Sequence, residues 1–122
     1  MKSSREGFPR NFRIRKTSEY RRIYADGKKI HRGVFVLFFL GNDTPHHRLG
    51  VTATKRLGNA VLRNRVKRRI REVFRREKSV LGSRGVDLVV NARRRVETIP
   101  WKELQEEFRI CGVMIQKEME HG

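Results

Sequence analysis

Residues 55–76 combine a helical period with a dense positive charge. The segment reads KRLGNAVLRNRVKRRIREVFRR and holds ten Lys or Arg residues but one acid, Glu72. A charge run is usually a solvated helix face laced with Glu–Lys pairs, yet one glutamate cannot neutralise so many neighbours. Arginine predominates, and its guanidinium group forms forked hydrogen bonds to phosphate and stacks on exposed bases. The segment therefore predicts contact with nucleic acid.

The spacing within this segment predicts one long helix that begins near Asn59, a suitable N-cap, and ends near Lys78. Its apolar residues form a core-facing stripe of Leu62, Val66, Ile70, Val73 and Phe74. The opposite side holds Asn64, Arg68, Arg71 and Arg75. Between the two lie Arg63 and Lys67 on one flank and Arg65 and Arg69 on the other. Such a helix is anchored by one face and presents cations over most of the remainder.

The other reactive side chains do not converge on a catalytic or metal site. Cys111 is the single cysteine and has apolar neighbours, which favours a buried thiol. The four histidines lack the spacing of helical metal sites. The carboxylates are scattered over predicted turns, a strand start and a solvated helix face, at Asp26, Asp43, Asp87, Glu103, Glu106 and Glu107. We therefore expect no catalytic residue and no metal ligand in the chain.

The whole sequence shares the basic bias of this segment. In 122 residues, 30 Lys or Arg residues exceed 13 acids and give a formal charge of +17. Self-repulsion of that size is usually relieved by a polyanion that displaces counterions as it binds. The longest apolar run, residues 34–40, is too short to span a membrane, and the N-terminus lacks the apolar stretch of a secretory signal. We expect a cytoplasmic protein with a nucleic-acid partner and no membrane partner.

Two further helices are predicted, one on each side of the basic segment in the sequence. The first begins at Thr17 or Ser18, either of which can cap it, and runs to about Ala25. The second opens at Pro100, and its apolar stripe consists of Trp101, Leu104, Phe108, Cys111 and Ile115. Both helices have an apolar face, so we expect each to pack on a sheet.

Short β-branched and aromatic segments predict the strands of that sheet. Residues 34–40 and 48–54 are expected to pair with each other, and residues 87–92 form a further strand. Together the elements predict an α+β fold, a single two-layer domain in which an about four-stranded sheet packs with three helices. We assign residues 1–13 to a flexible basic arm and residues 14–122 to the RNA-binding domain.

One stretch of the basic segment is more specific than its charge. Residues 55–72 read KRLGNAVLRNRVKRRIRE, which over 18 consecutive positions resembles the signature of the protein component of bacterial ribonuclease P. The order of elements also agrees from about residue 14 to the C-terminus. The resemblance implies that the basic helix forms the crossover of a βαβ unit. It also implies that RNA is contacted by Lys55, Arg56, Arg63, Asn64, Arg65, Lys67, Arg68 and Arg71.

The function implied by this resemblance is that of an accessory subunit of an endoribonuclease. The complex formed by members of that family removes the 5′ leader from precursor tRNA. Its large RNA subunit holds the catalytic site and the Mg²⁺ ions. By resemblance, the partners of this chain are a ribonuclease P catalytic RNA and precursor tRNA, and no small-molecule substrate is expected.

The resemblance also implies a cleft that holds the single-stranded leader, lined by Tyr20, Tyr24, Val36 and Phe38. Aromatic residues four apart on a helix are more often part of a core than a ligand platform. Tyrosine, however, has a polar tip that prefers water, and stacking on such rings holds single-stranded RNA without strict sequence choice. The family more often has Phe at positions 20 and 24, so the two tyrosines are a mild departure from its pattern.

Three other functions are compatible with parts of the sequence. A ribosomal or general RNA-binding module has the same composition, and only the Arg-Asn-Arg segment at residues 63–65 argues against it. A protein metallonuclease needs carboxylates that converge on Mg²⁺, and the candidates above are poor. A DNA-binding helix-turn-helix protein needs a second helix placed three or four residues before the basic one, and the sequence predicts none there.

Overall fold

Four strands and three helices form the fold over residues 12–121, the part of the chain that the computed structural model describes. The helices are α1 (Thr17–Asp26), α2 (Ala60–Glu77) and α3 (Trp101–His121). The strands are β1 (Lys28–His31), β2 (Phe35–Gly41), β3 (Arg48–Thr52) and β4 (Val86–Ala92). Short 3-10 helices lie between these elements at Lys55–Leu57, Lys78–Leu81 and Arg94–Glu97.

The strands form one mixed sheet in the order β1-β2-β4-β3. β1 and β2 are antiparallel, as are β2 and β4, whereas β3 and β4 are parallel. Parallel neighbours need a crossover connection, and α2 supplies it between the end of β3 and the start of β4. The predicted α+β fold is confirmed, with its four strands, its three helices and the basic helix in a βαβ crossover.

The strand pairing differs from the sequence-based prediction. The expected pairing of residues 34–40 with residues 48–54 is wrong, because β4 lies between β2 and β3. β2 pairs instead with β1, which the sequence does not predict since KKIH has a single apolar residue, Ile30. A tight turn makes this local pairing possible, and the Arg32 N–H donates to the Phe35 carbonyl at 2.9 Å.

The main core lies between one face of the sheet and the helices α2 and α3. The sheet contributes alternate strand residues, among them Phe35, Leu37, Leu88 and Val90. The predicted stripe of α2 is buried at Val66, Ile70, Val73 and Phe74. The predicted stripe of α3 is buried at Leu104, Phe108, Cys111 and Ile115. Both stripes are confirmed, although Leu62 and Trp101 are only partly buried against the core. Burial raises the pKa of the Cys111 thiol to about 12, as expected for a core cysteine.

Helix α1 packs on the opposite face of the sheet and covers part of it. Ile14 and Ile23 are buried there together with Val89 of β4. The helix ends at Gly27, where a Cβ would lie 2.7 Å from the Phe39 carbonyl oxygen, so only glycine allows this close approach to β2. Helix α1 thus adds a partial third layer to the two layers of the predicted domain. The part of this sheet face that α1 does not cover remains accessible.

Residues on both sides of the predicted boundary at residue 13 contact the sheet or the segment that follows α2. Residues 1–11 of the predicted arm fall outside the described residues. Arg13 forms an isolated parallel bridge with Leu49, and the adjacent Ile14 N–H donates to the Leu49 carbonyl at 3.0 Å. The Lys78 ammonium lies 4.0 Å from the centre of the Phe12 ring. Phe12 and Arg13, which the sequence assigns to the arm, therefore contact the domain.

The burial of α2 generates a stability prediction. Ile70 is fully buried, so replacement by alanine removes apolar contacts and leaves a cavity. We expect Ile70→Ala to lower the free energy of unfolding by about 2–5 kcal/mol in urea denaturation followed by circular dichroism. Arg68→Ala, on the exposed side of the same helix, is the control and should change it by no more than about 0.5 kcal/mol. Equal losses in the two variants would contradict this packing.

Candidate nucleic-acid interface

The start of α2 is fixed by a turn that the local sequence encodes. Gly58 has a φ of 144°, a conformation that residues with a Cβ rarely adopt. Asn59 follows as the predicted N-cap, and its Oδ1 accepts a hydrogen bond from the Leu62 N–H at 2.9 Å. The Arg63 Nε–H donates to the Gly58 carbonyl at 3.2 Å. This turn sets the direction in which the basic helix leaves the sheet.

The residues predicted to contact RNA lie outside the core, along the 3-10 helix Lys55–Leu57 and along α2. Five of the eight are exposed, namely Lys55, Arg56, Asn64, Arg65 and Arg68. Three are partly buried beside the core stripe, namely Arg63, Lys67 and Arg71. The structure thus places the set on one helix and the turn before it, and their contact with RNA stays a prediction.

The acids near α2 leave its N-terminal half largely without neutralisation. Glu72 pairs with two arginines of the last turns, and Glu77 pairs with an arginine of α3. Among the predicted residues, Arg65 alone has an acidic partner in the described part of the chain, Glu97, at 2.5 Å. Within residues 12–121 the following form no ion pair: Lys55, Arg56, Arg63, Lys67, Arg68 and Arg71. The unpaired charge is therefore concentrated at one end of the helix.

The backbone of α2 adds to the positive potential at this end. A helix N-terminus is the positive end of the helix dipole and normally favours acidic side chains. The first turn of α2 contains no acid, and the basic residues lie in the turns that follow. This arrangement is unfavourable for the isolated chain, and an anion bound there would relieve it.

Arg69 has a structural role that the sequence does not reveal. Its Nη1 group donates to the carbonyl of Val96 at 2.6 Å and to that of Ile99 at 2.8 Å. Its guanidinium group also lies 5.9 Å from the centre of the Trp101 ring. Sequence reasoning treats Arg69 as one more flanking cation, because its acceptors are backbone carbonyls of a distant segment that no local pattern marks. The residue holds the segment before α3 against α2.

The four residues of the predicted leader cleft lie together on the face of the sheet that α1 partly covers. The rings of Tyr24 and Phe38 meet edge to face, with centroids 4.8 Å apart. The rings of Tyr20 and Tyr24 are 6.4 Å apart. Val36 is buried two residues before Phe38 on β2, and its side chain points to the same face. We call Tyr20, Tyr24, Val36 and Phe38 the aromatic face.

The two tyrosines differ in how far they are available to a ligand. Tyr24 is 39% exposed, and its hydroxyl donates to Asn91 Oδ1 at 2.9 Å. Tyr20 is half-buried, and burial is the main reason why the pKa of its phenol is raised. A Cβ at Gly50 would lie 2.5 Å from the Tyr20 hydroxyl, so the glycine provides the space for this ring. The sequence does not predict a role for Gly50 or Asn91, because each lies on a strand and contacts a tyrosine of α1 that is distant in the chain.

Arg71 connects the basic helix with the aromatic face. Burial, together with the nearby charge of Arg13, lowers the pKa of the Arg71 guanidinium. The positive charge of Arg71 in turn favours the ionised form of Tyr20 and opposes the effect of burial there. The two predicted binding surfaces are therefore adjacent and meet at Arg71 and Tyr20.

Asp87 is the fully buried carboxylate of the described residues, and its oxygens are already bound. Arg48 donates to both of them, at 2.9 and 2.7 Å, and the Asn42 amide donates at 2.8 Å. Arg48 also pairs with Glu19 of α1 at 3.0 Å. Within residues 12–121 no three His, Cys, Asp or Glu side chains are grouped so that they could hold a metal ion.

Known proteins are similar to this chain in sequence and in fold. The sequence model of the ribonuclease P family matches residues 8–115. The chain belongs to the ribonuclease P protein family. The ribonuclease P protein component of Streptococcus pneumoniae (strain Hungary19A-6) is 38% identical over 97 residues, which cover 80% of this chain and 78% of the relative. The resemblance carried by residues 55–72 is confirmed.

Two solved structures of ribonuclease P proteins have the same fold. The protein from Staphylococcus aureus is 36% identical with a TM-score of 0.70, and the match covers 81% of this chain and 90% of the other. The protein from Thermotoga maritima is 29% identical with a TM-score of 0.73, and the match covers 86% and 96%. Membership of this family implies an RNA partner and a part in an endoribonuclease complex of tRNA processing. No helix within residues 12–121 has the length and apolar character needed to cross a bilayer.

The unpaired charge of α2 predicts a measurable salt dependence. Binding to a ribonuclease P RNA should weaken steeply with salt, because each neutralised phosphate contributes about 0.7–0.9 to the slope of log K against log salt concentration. Arg68→Ala should reduce that slope by about one phosphate's share, since Arg68 is exposed and has no acidic partner in the described residues. Filter binding over a salt series measures the slope.

Lys117→Ala is the matched control for this experiment. Lys117 is an exposed base on α3, outside the surface formed by the predicted residues. Its removal lowers the net charge by the same amount as Arg68→Ala. We expect the slope of the control to stay at the wild-type value, and an equal reduction in both variants would show that net charge alone governs binding.

Proposed function

We propose that this chain is the protein subunit of a ribonuclease P ribonucleoprotein and assists endonucleolytic removal of the 5′ leader from precursor tRNA. The observation that carries the proposal is the unpaired positive charge on the N-terminal half of α2, in a chain with a formal charge of +17. Membership of the ribonuclease P family supports this function over that of a general RNA-binding module. The proposal places the protein in the cytoplasm.

In this proposal the basic residues of α2 and of the turn before it bind the catalytic RNA. Their cations would neutralise phosphates and release counterions, which also reduces the repulsion between the catalytic RNA and its RNA substrate. Arginine suits this contact because its fork can bind two phosphate oxygens at once. Arg65 would contribute less than Arg68, since Glu97 already pairs with it.

The aromatic face is proposed to hold the single-stranded leader of precursor tRNA. Tyr24 is its most exposed ring and the rings of Tyr20 and Phe38 are partly accessible, and stacked bases bind such rings without strict sequence choice. Lys29 lies beside Phe38, with its ammonium 5.7 Å from the ring centre, and offers a cation for a leader phosphate. Binding of the leader here would orient the substrate on the complex and tighten its association.

Catalysis is proposed to reside in the RNA subunit, which would also hold most of the Mg²⁺. The support within the protein is the placement of its carboxylates. Asp87 is bound by Arg48, and Glu72, Glu77 and Glu97 are paired with other arginines. The protein's contribution is then binding and positioning.

A cleavage assay tests this division of roles. Precursor tRNA is incubated with the purified protein alone, with a bacterial ribonuclease P RNA alone, and with both, over a range of Mg²⁺ concentrations. We expect no cleavage by the protein alone, and cleavage at lower Mg²⁺ with both components than with the RNA alone. Cleavage by protein free of RNA that is abolished by a single Asp or Glu substitution would overturn the proposal in favour of a protein metallonuclease.

The aromatic face generates a prediction about substrate selectivity. Tyr24→Ala should weaken binding of precursor tRNA to the holoenzyme by about 1–3 kcal/mol, because loss of one stacked base has that effect. Binding of mature tRNA should not change, since it has no leader. Tyr24→Phe is the control, as it keeps the ring and loses only the hydroxyl, with its hydrogen bonds to Asn91 and Thr52. Equal losses for precursor and mature tRNA would show that the ring merely supports the fold.

A further inference from the structure

The outward side of α2 carries one large apolar side chain, Val61, which takes no part in either core cluster. It is 64% exposed, more than any other large hydrophobic residue of the described range. Val61 and Ile70 lie about 180° apart around the helix, so Val61 points directly away from the core stripe. A single exposed valine is ordinary on a protein surface. The neighbours of Val61 distinguish it from such a case.

Three exposed polar residues share the outward side of α2 with Val61. They follow it at the spacings that place helix residues on one face, and are Asn64, Arg65 and Arg68. Within residues 12–121, the side-chain amide of Asn64 forms no hydrogen bond and the Arg68 guanidinium group forms no ion pair. This outward face therefore combines methyl groups, a neutral amide with free donors and acceptors, and guanidinium groups.

Phosphate contact alone does not account for this combination. A phosphate oxygen gains nothing from valine methyl groups, and lysine or arginine would favour both the helix and the phosphate more than valine does. RNA offers a different surface in its wide, shallow minor groove, which displays riboses, 2′-hydroxyl groups and base edges. Contact with a ribose buries the apolar surface of methyl groups, which is favourable. A side-chain amide can both donate to and accept from a 2′-hydroxyl group or a base edge.

We propose that Val61 and Asn64 form a non-ionic contact with the riboses and base edges of the catalytic RNA, between phosphates bound by Arg65 and Arg68. The inference rests on the proposed function, because it requires RNA to be the occupant of this face. Charge complementarity favours that occupant, since Val61 lies at the end of α2 where the unpaired cations are concentrated. The contact supplies a share of the affinity that salt does not screen.

The chain contains a matched control for this proposal. Val113 on α3 is also an exposed helical valine, at 47%. The exposed charged residues on its face of α3 are of both signs, with Arg109 and Lys117 four positions away and Glu106 and Glu120 seven positions away, so this face carries no net charge. The same substitution at Val113 changes the same atoms on a face that lacks the concentrated positive charge of α2.

The experiment measures the affinity of the full-length protein for a bacterial ribonuclease P RNA transcript over a series of salt concentrations. The variants are Val61→Thr, which replaces one methyl group by a hydroxyl of similar size, Val61→Lys and Val113→Thr. We expect the plot of log K against log salt concentration for Val61→Thr to run parallel to that of the wild type, with binding about fourfold weaker or more. Loss of one buried methyl group predicts a decrease of this size. Val113→Thr should superimpose on wild type.

Val61→Lys separates the proposal from a purely electrostatic surface. An added cation strengthens binding at every salt concentration if the face contacts phosphates alone. In our proposal the lysine displaces the apolar contact, so the variant binds more weakly than wild type at high salt, where the added charge is screened. Because the position is exposed, thermal unfolding should give the same Tm for all variants.

The outcomes distinguish this inference from the function on which it rests. A Val61→Thr line that superimposes on wild type, or a Val61→Lys variant that binds more tightly throughout, would overturn the non-ionic contact and leave RNA binding intact. Wild-type protein that binds the RNA weakly and with a flat salt dependence would overturn both.

Discussion

Because β3 and β4 are parallel neighbours, the chain between them must return from one end of the sheet to the other, and α2 makes that connection. The apolar stripe of α2 anchors the helix over the sheet, with Ile70 and Phe74 fully buried. Once that stripe is buried, the remaining side chains of the helix have to face solvent or the neighbouring elements. The position of the basic surface is thus a consequence of the crossover rather than of any contact made by the basic residues themselves.

The arrangement of charges follows a second constraint, the shortage of acids. The acids in and beside the basic helix form ion pairs at defined places. Glu72 and Glu77 lie near its C-terminal end, and Glu97 lies beside Arg65. Exposed ion pairs of this kind contribute little stability, typically below about 1 kcal/mol. Their larger effect is on the electrostatic potential of α2. They neutralise charge in its C-terminal half and at Arg65, and the other cations of its N-terminal half have no acidic partner in the described residues. An RNA that approaches the protein therefore meets a directed positive surface and not a uniform one.

The periodic elements were predictable, because periodicity is a local property of the sequence. The stripes of α2 and α3 and the cap at Asn59 follow from residue spacing alone. The position of β4 between β2 and β3, the strand β1 with its single apolar residue Ile30, and the carbonyl contacts of Arg69 depend on segments far apart in the chain. For the aromatic face, the four residues were predicted from the resemblance to the ribonuclease P protein family and not from their spacing. The position of the Tyr20 ring depends on Gly50 of β3, which lies far from α1 in the sequence.

The ion pair between the partly buried Arg48 and the fully buried Asp87 shows how the fold uses its most buried carboxylate. Desolvation offsets most of the attraction in such a pair, so its consequence is geometric more than energetic. Arg48 joins β3 to β4 through Asp87 and to α1 through Glu19, and so fixes α1 above the sheet. The aromatic residues of α1 owe their position over β2 in part to this network. A carboxylate that could otherwise serve acid–base chemistry is thus committed to positioning the aromatic face.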